Sequence, residues 1–150
     1  MYELSNVSIV IVSFNSEEKL FELFPSIPES CELIIVNNAS NSLPQELKKS
    51  RDFIEIHNSE NKGFGTACNI GVTKASKDFI FLLNPDTLLK DHCLENLLKV
   101  CKDFPNASAF TPKITNKKNK EDFKRRSILL DRGQWLKGPP KVLSLSLIHI

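Results

Sequence analysis

Short apolar runs, each stopped by a cluster of turn-forming residues, divide the first two thirds of the chain. Val7 to Phe14 (VSIVIVSF) is rich in β-branched residues and ends at Asn15. Glu32 to Val36 (ELIIV) runs into Asn37, Asn38, Ala39, Ser40, Asn41 and Ser42, and Phe53 to His57 runs into the polar stretch from Asn58 to Gly63. Phe79 to Leu83 is five apolar residues long and stops at Asn84-Pro85-Asp86. Ser108 to Thr111 is a shorter, fifth candidate. Continuous apolar runs of this length, bounded by turn signals, suit strands buried on both faces of a parallel sheet.

Between these runs the apolar spacing becomes helical. Asn15 with Glu18 makes a capping pair, followed by Leu20, Phe21, Phe24 and Ile27, in a helix that breaks near Pro25 or Pro28. A short helix starts around Ser42 and Pro44 and reaches about Ser50. Gly65 to Ser76 carries Ala67, Ile70, Gly71 and Ala75, small residues that fit close approach to a sheet or a ligand; Gly71 costs such a helix roughly 1 kcal/mol relative to alanine. An Asp91-capped helix then places Leu94, Leu97, Leu98, Cys101 and Phe104 on one face. The order βαβαβαβαβ predicts an α/β fold: a right-handed, mostly parallel sheet with helices on both faces.

After Pro112 the pattern weakens, so residues 1–112 read as one unit, 113–142 as a basic connector leading into a further region, and 143–150 as an anomalous tail. Lys113 to Arg126 holds seven basic residues against Glu121 and Asp122; on a chain of net charge +2, that leaves −3 for everything else. Such a segment is a solvated connector or a contact for an anionic surface. LSLSLIHI at 143–150 carries no charge and nothing follows to cover it, which reads as a truncation or a reading-frame artefact. At 150 residues, 41% hydrophobic and 25% charged, the chain otherwise has the composition of one ordinary globular domain. Cys31, Cys68, Cys93 and Cys101 match no zinc spacing, and Val7 to Val12 is too short for a signal or a membrane span. These features predict reduced thiols in a cytoplasmic protein whose membrane contact, if any, is peripheral.

In a parallel sheet, Ser13-Phe14-Asn15, Asn37-Asn38-Ala39-Ser40, Asn61-Lys62-Gly63-Phe64-Gly65 and Asn84-Pro85-Asp86 all emerge on one side and can surround a single ligand. Pro85 cannot continue a central strand, so Asp86 sits in a turn just past the strand end. Its carboxylate there either binds a hard divalent cation, and through it a diphosphate, or closes an Asx-turn. Phe14 offers a face for stacking a base or packs in the core, and Asn38 can donate and accept on a base edge. Gly63 and Gly65 let backbone approach phosphate or make a plain turn, and the stretch is not a P-loop.

VSIVIVSFN, LIIVNNAS, NKGFGTACNIG and FIFLLNPDTLL, in this order, resemble the nucleotide-sugar-binding half of family-2 glycosyltransferases with the GT-A fold. Within that family the chain is most similar to the rhamnosyltransferase-like branch, where Asn-Pro-Asp-Thr stands in the place of the metal-binding Asp-x-Asp. The resemblance covers Val7 to about Pro112. It implies a GT-A (Rossmann-like) sheet, truncated before its acceptor half, and a site for a dTDP- or UDP-linked sugar formed by Ser13, Phe14, Asn15, Asn38, Gly63, Asn69, Asn84 and Asp86. Asp86 would hold the divalent metal, Mg²⁺ or Mn²⁺. Asn37 and Asn38 replace the usual Asp-Asp or Asp-Asn pair, which keeps hydrogen bonding and removes charge.

The resemblance further implies transfer of a sugar to a glycan or lipid-linked acceptor in polysaccharide biosynthesis, with no nucleic-acid partner. The general base such a transfer needs is, in this family, a carboxylate in a Glu-Asp motif of the acceptor half. Glu121-Asp122 sits too close to the fifth strand to match it, so no catalytic residue is assigned and these 150 residues are expected to lack transferase activity. The competing reading is a non-catalytic nucleotide-binding remnant. A nucleotidyltransferase fits poorly, because the turn after the first strand is acidic and lacks glycine.

Overall fold

The first four strands are parallel and meet the sequence expectation closely. The computed structural model describes residues 2–38, 42–115 and 128–131, the last for their backbone alone. Strands β1 (Val7–Ser13), β2 (Glu32–Asn38) and β4 (Phe79–Leu83) are buried almost throughout, as strands covered on both faces must be. Strand β3 (Ile54–Asn58) lies at the sheet edge and exposes Ile54 and His57.

The sheet has six strands in the order β3-β2-β1-β4-β6-β5. Strand β5 (Ala109–Phe110) is the fifth run, shortened to two residues. Between it and β4 lies β6 (Ile128–Asp131), antiparallel to both. The sequence pattern does not announce β6: four residues following a basic run are too few to show a period. The sheet thus takes a strand from the segment read as a connector. The remainder of Lys113 to Arg126 after Thr115, with Glu121-Asp122, and the tail at 143–150 lie outside the described residues.

Alternate residues of each strand feed two cores. Ile9, Ile11, Leu33, Ile35, Phe79 and Phe81 pack with Leu20 and Leu23 of α1 (Glu17–Leu23), Leu47 of α2 (Gln45–Ser50) and Leu94 and Leu97 of α4 (Cys93–Asp103). Val10, Val12, Ile34, Val36 and Ile80 pack on the other face with Ala67 and Cys68 of α3 (Phe64–Lys74). The change of face follows the path of the chain. From β1 to β3 the strands are added in one direction; α3 then carries the chain back over β2 and β1 to place β4 on β1's far side. That reversal makes the crevice between the carboxyl ends of β1 and β4 the topological switch point.

Several local expectations are corrected. Ser16, not Asn15, is the N-cap of α1 and makes no side-chain cap; Asn15 takes a left-handed conformation, φ 49°. His92, not Asp91, is the N-cap of α4, also left-handed at φ 61°. Phe104 and Phe21 are exposed rather than on the apolar faces of their helices, and Leu23 takes Phe21's place in the core. The break at Pro25 is found, as a 3₁₀ turn over Phe24–Ser26.

Two contacts fix where the site elements sit. At the amino ends of the strands, Glu32 accepts hydrogen bonds from the Ser8 hydroxyl, from Ser76 N–H at 2.9 Å and from the Ser76 hydroxyl at 2.7 Å, while Lys77 N–H donates to Ser8 Oγ at 3.2 Å. Burial alone would raise the Glu32 pKa, but these donors and the Lys77 charge hold it below its ordinary value. This cluster ties the start of β4 to β1 and β2. On the face of α3, a methyl group at Gly71 would run into Val10 Cγ1 and meet Val36 Cγ2 at 3.0 Å. The small residues of α3 therefore serve close approach to the sheet. Gly71→Ala is expected to lift α3 and to cost about 1–3 kcal/mol, less up to about 1 kcal/mol of improved helix propensity; a urea melt showing no loss of stability would refute this.

All four cysteines are buried and free. Burial pushes the thiols of Cys31 and Cys93 up to about 11 and raises that of Cys68, so at neutral pH these three are protonated packing groups, not nucleophiles.

Candidate functional site

Parallel pairing of β1, β2, β3 and β4 brings their carboxyl ends to one edge of the sheet. Seven of the eight residues singled out from the sequence, Ser13, Phe14, Asn15, Asn38, Gly63, Asn84 and Asp86, stand at that edge on strand ends or the turns after them. Asn69 does not: it is exposed on α3, about 7.5 Å along the helix axis from Phe64 at 1.5 Å per residue, on the flank of the edge rather than its rim.

After β1, Ser13 is buried and shares a 2.9 Å hydrogen bond with the Ser16 hydroxyl, which closes the turn beneath Phe14. Phe14 is 49% exposed, so its ring is not a core residue. A large apolar ring held in the open by a buried serine pair is a surface that a planar apolar ligand can cover.

After β4, Thr87 N–H donates to the Asn84 carbonyl at 3.1 Å. This is a turn with proline at its second position, where the ring presets the backbone angle the turn needs. The turn leaves Asn84 and Pro85 half-buried and presents Asp86 exposed. The Thr87 hydroxyl oxygen is buried with no partner among the described residues.

Asn38, expected from the sequence to donate and accept on a base edge, has its amide engaged within the protein. It is 2% exposed. Its Oδ1 accepts from Asn58 Nδ2 at 3.0 Å and from Lys62 N–H at 3.1 Å, and its Nδ2 donates to Asn61 Oδ1 at 2.8 Å. Asn61 Oδ1 also accepts from Gly63 N–H at 2.9 Å. Gly63, the N-cap of α3, has φ 78° and ψ 160°, a region closed to other residues without strain. The requirement for glycine there is conformational, since a Cβ would meet nothing within 4 Å. Gly65 in the first turn of α3 likewise faces open space.

Sequence reasoning singles out neither Asn58 nor the bond of Asn61 to Asn38, since these partners lie about twenty residues apart in the chain. It gives no separate role to Phe64 and Leu88, which are 57% and 60% exposed on the segments following β3 and β4. Large exposed apolar groups thus occur after three of the four strands. A cavity of about 530 Å³ lies elsewhere, between the Pro25–Pro28 turn and the start of α4, with Leu88 and Leu89 on one side.

Among the described residues no three His, Cys, Asp or Glu side chains come together as a metal cage. Asp86 with the nearby Asn84 supplies hard oxygen donors on one short turn. That set fits a cation which takes most of its ligands from phosphate oxygens and water, as Mg²⁺ does in nucleotide sites, and does not fit a cation enclosed by protein.

Comparison with known proteins gives a consistent result. A family model described as Glycosyl transferase family 2 matches residues 8–146, well past Pro112, where the recognisable motifs end. Poly-beta-1,6-N-acetyl-D-glucosamine synthase of Staphylococcus aureus strain COL is 29% identical over 125 residues, covering 77% of this chain and 30% of that protein. The Staphylococcus epidermidis synthase of the same name is 28% identical over 126 residues. The chain spans about 30% of the length of these curated relatives. Among solved structures, the mannosyltransferase PcManGT from Pyrobaculum calidifontis, in complex with GDP-Man and Mn²⁺, superimposes with a TM-score of 0.70 at 16% identity, over 90% of this chain and 47% of that one. Residues 1–349 of TarS from S. aureus, in complex with UDP-GlcNAc, give 0.65 at 16% identity, over 73% and 34%. At such identity the likeness shows the fold.

Proposed function

The chain belongs to glycosyl transferase family 2, and from that premise we propose that its described part is the donor-binding portion of an enzyme that transfers a sugar from a nucleoside diphosphate to a growing glycan or a lipid-linked acceptor. The observation that carries this reading is the convergence of Phe14, Asn38 with the loop from β3 to Gly63, and Asp86 at the carboxyl edge of four parallel strands, around the switch point between β1 and β4.

Each element has a chemical task in this reading. The exposed ring of Phe14 covers one face of the base, buried Ser13 holding the turn beneath it. The loop ending at Gly63 and the first turn of α3, where Gly65 leaves room, take the diphosphate. Asp86, with Asn84 behind it, would hold Mg²⁺ or Mn²⁺; when bound, such an ion supplies positive charge to the diphosphate leaving group. Relatives with similar folds are seen with UDP-GlcNAc, and with GDP-Man and Mn²⁺, which supports a nucleotide-sugar donor and a divalent ion without choosing the sugar.

The finer assignment to a rhamnosyltransferase-like branch with a dTDP- or UDP-linked donor rests on Asn-Pro-Asp-Thr alone, and the curated relatives above are named for a poly-N-acetylglucosamine product. In this reading the enzyme works at the cytoplasmic side of a membrane, where the basic segment would meet anionic headgroups; no helix among the described residues is long and apolar enough to cross a membrane.

Calorimetric titration of the chain with UDP, dTDP and GDP, each with and without Mn²⁺, tests donor binding. The expected result is Mn²⁺-enhanced binding of at least one of the three with a preference among bases. No binding of any nucleotide at millimolar concentration would refute the reading.

A further inference from the structure

We propose that Asn38 acts as a positioning residue: it is the centre of an amide relay, Asn58 to Asn38 to Asn61, that fixes the loop delivering Lys62, Gly63 and the start of α3 to the diphosphate. The proposal rests on the donor-site reading above and gives Asn38 a positioning task within it.

The argument begins with the loop. Residues 59–63 (Ser-Glu-Asn-Lys-Gly) are all exposed and carry no apolar side chain that could anchor them in either core. A loop of this composition holds one shape only if hydrogen bonds fix it. The bonds present run through Asn38. Both lone pairs of its Oδ1 are used, by Asn58 Nδ2 and by Lys62 N–H, and one of its two amide hydrogens goes to Asn61 Oδ1. Asn61 Oδ1 passes the connection on to Gly63 N–H.

The orientation of both amides is dictated by backbone. Only an oxygen can accept from Lys62 N–H and Gly63 N–H, so Asn38 and Asn61 must turn their oxygens toward the loop. At 2% exposure the Asn38 amide is buried within this relay. The relay also explains why an amide is needed at position 38. An aspartate would face the Asn61 oxygen with a second acceptor. Asn61 would have to flip, and its oxygen would leave Gly63 N–H. Gly63, at φ 78°, would lose the contact that holds it in that conformation.

Hydrogen exchange of the full chain, without ligand, tests the relay itself. In N38A the Lys62 and Gly63 amides are expected to lose protection, in N61A the Gly63 amide, and in N38D the Gly63 amide. Asn61 lies on an exposed loop, so N61A retains the fold even if N38A does not. Titration with UDP, GDP and inorganic pyrophosphate, each with Mg²⁺, then separates positioning from base contact. N38A and N61A are each expected to weaken all three by a similar factor of about ten, the worth of one well-placed hydrogen bond, and the double variant to be little worse than N38A. Weakened UDP and GDP with unchanged pyrophosphate in N38A would overturn the proposal, as would unchanged exchange at Lys62 and Gly63. If the wild type takes up none of the three, the donor-site reading fails, and the exchange measurements alone decide whether the relay holds the loop.

Discussion

Replacing Asp86 with alanine is expected to leave the fold intact and to remove the divalent-metal enhancement of nucleotide-diphosphate binding. Asp86 is exposed on a turn closed by the backbone bond from Thr87 to Asn84 and shaped by Pro85, so its side chain contributes little to the core. The same exposure makes it available to a cation. Among the described residues no other His, Cys, Asp or Glu side chains join it in a group of three, so an ion there depends on the diphosphate for its remaining ligands. It follows that Mn²⁺ alone binds weakly, that UDP alone binds weakly, and that each strengthens the other by the same factor, as linkage requires. Calorimetry of UDP with and without Mn²⁺ should show an enhancement of about tenfold or more, or about 1.4 kcal/mol, that disappears in both Asp86→Ala and Asp86→Asn, since a neutral amide is a poor ligand for a hard cation. Thermal melting of the variants should match the wild type. Retention of the full enhancement in Asp86→Ala would show that the carboxylate only serves its turn, and the metal would have to be sought elsewhere.

How much of this was legible beforehand depends on the range over which each feature is encoded. Strands β1, β2 and β4 are continuous apolar runs closed by turn formers, a local signal, and their parallel pairing follows from the helices between them. The Asp86 turn was legible for the same reason: Pro85 ends a strand wherever the strand lies. Phe14 could be placed after β1, but whether its ring was buried depended on the neighbouring turn. Strand β6 was missed because four residues show no period and its partner β4 lies some fifty residues earlier. The caps of α1 and α4 fall one residue later than the sequence suggests, where backbone at Asn15 and His92 turns left-handed. The Asn58–Asn38–Asn61 relay was out of reach: three asparagines among many carry no mark that they meet. Arg51, in the same way, looks in sequence like one more basic residue at the end of a short helix.

In the fold it is far from that. Arg51 follows α2 and is 8% exposed, with Nη1 donating to the Ile27 carbonyl at 2.7 Å and Nη2 to those of Pro28 at 2.7 Å and Cys31 at 3.1 Å. One planar guanidinium thereby satisfies three carbonyls of the segment that leads from the 3₁₀ turn into β2. Removing it leaves buried acceptors without donors. At about 1.5–3 kcal/mol for a hydrogen bond to a charged group, with partial relief by entering water, Arg51→Ala should cost about 3 kcal/mol and lower Tm by about 6–12 °C. Lysine keeps the charge, but as a compact ammonium it cannot span the three acceptors, so Arg51→Lys should recover only part of the loss. Strand polarity sharpens the test. Arg51 contacts the amino end of β2, whereas Asn38 is at its carboxyl end, so Arg51→Ala measured well below its Tm should bind UDP with wild-type affinity. A Tm shift under about 2 °C would mean that water replaces the guanidinium at little cost. A large loss of UDP affinity at low temperature would mean instead that the two ends of β2 are coupled through the sheet, and that the site is less independent of its scaffold than the buried strands imply.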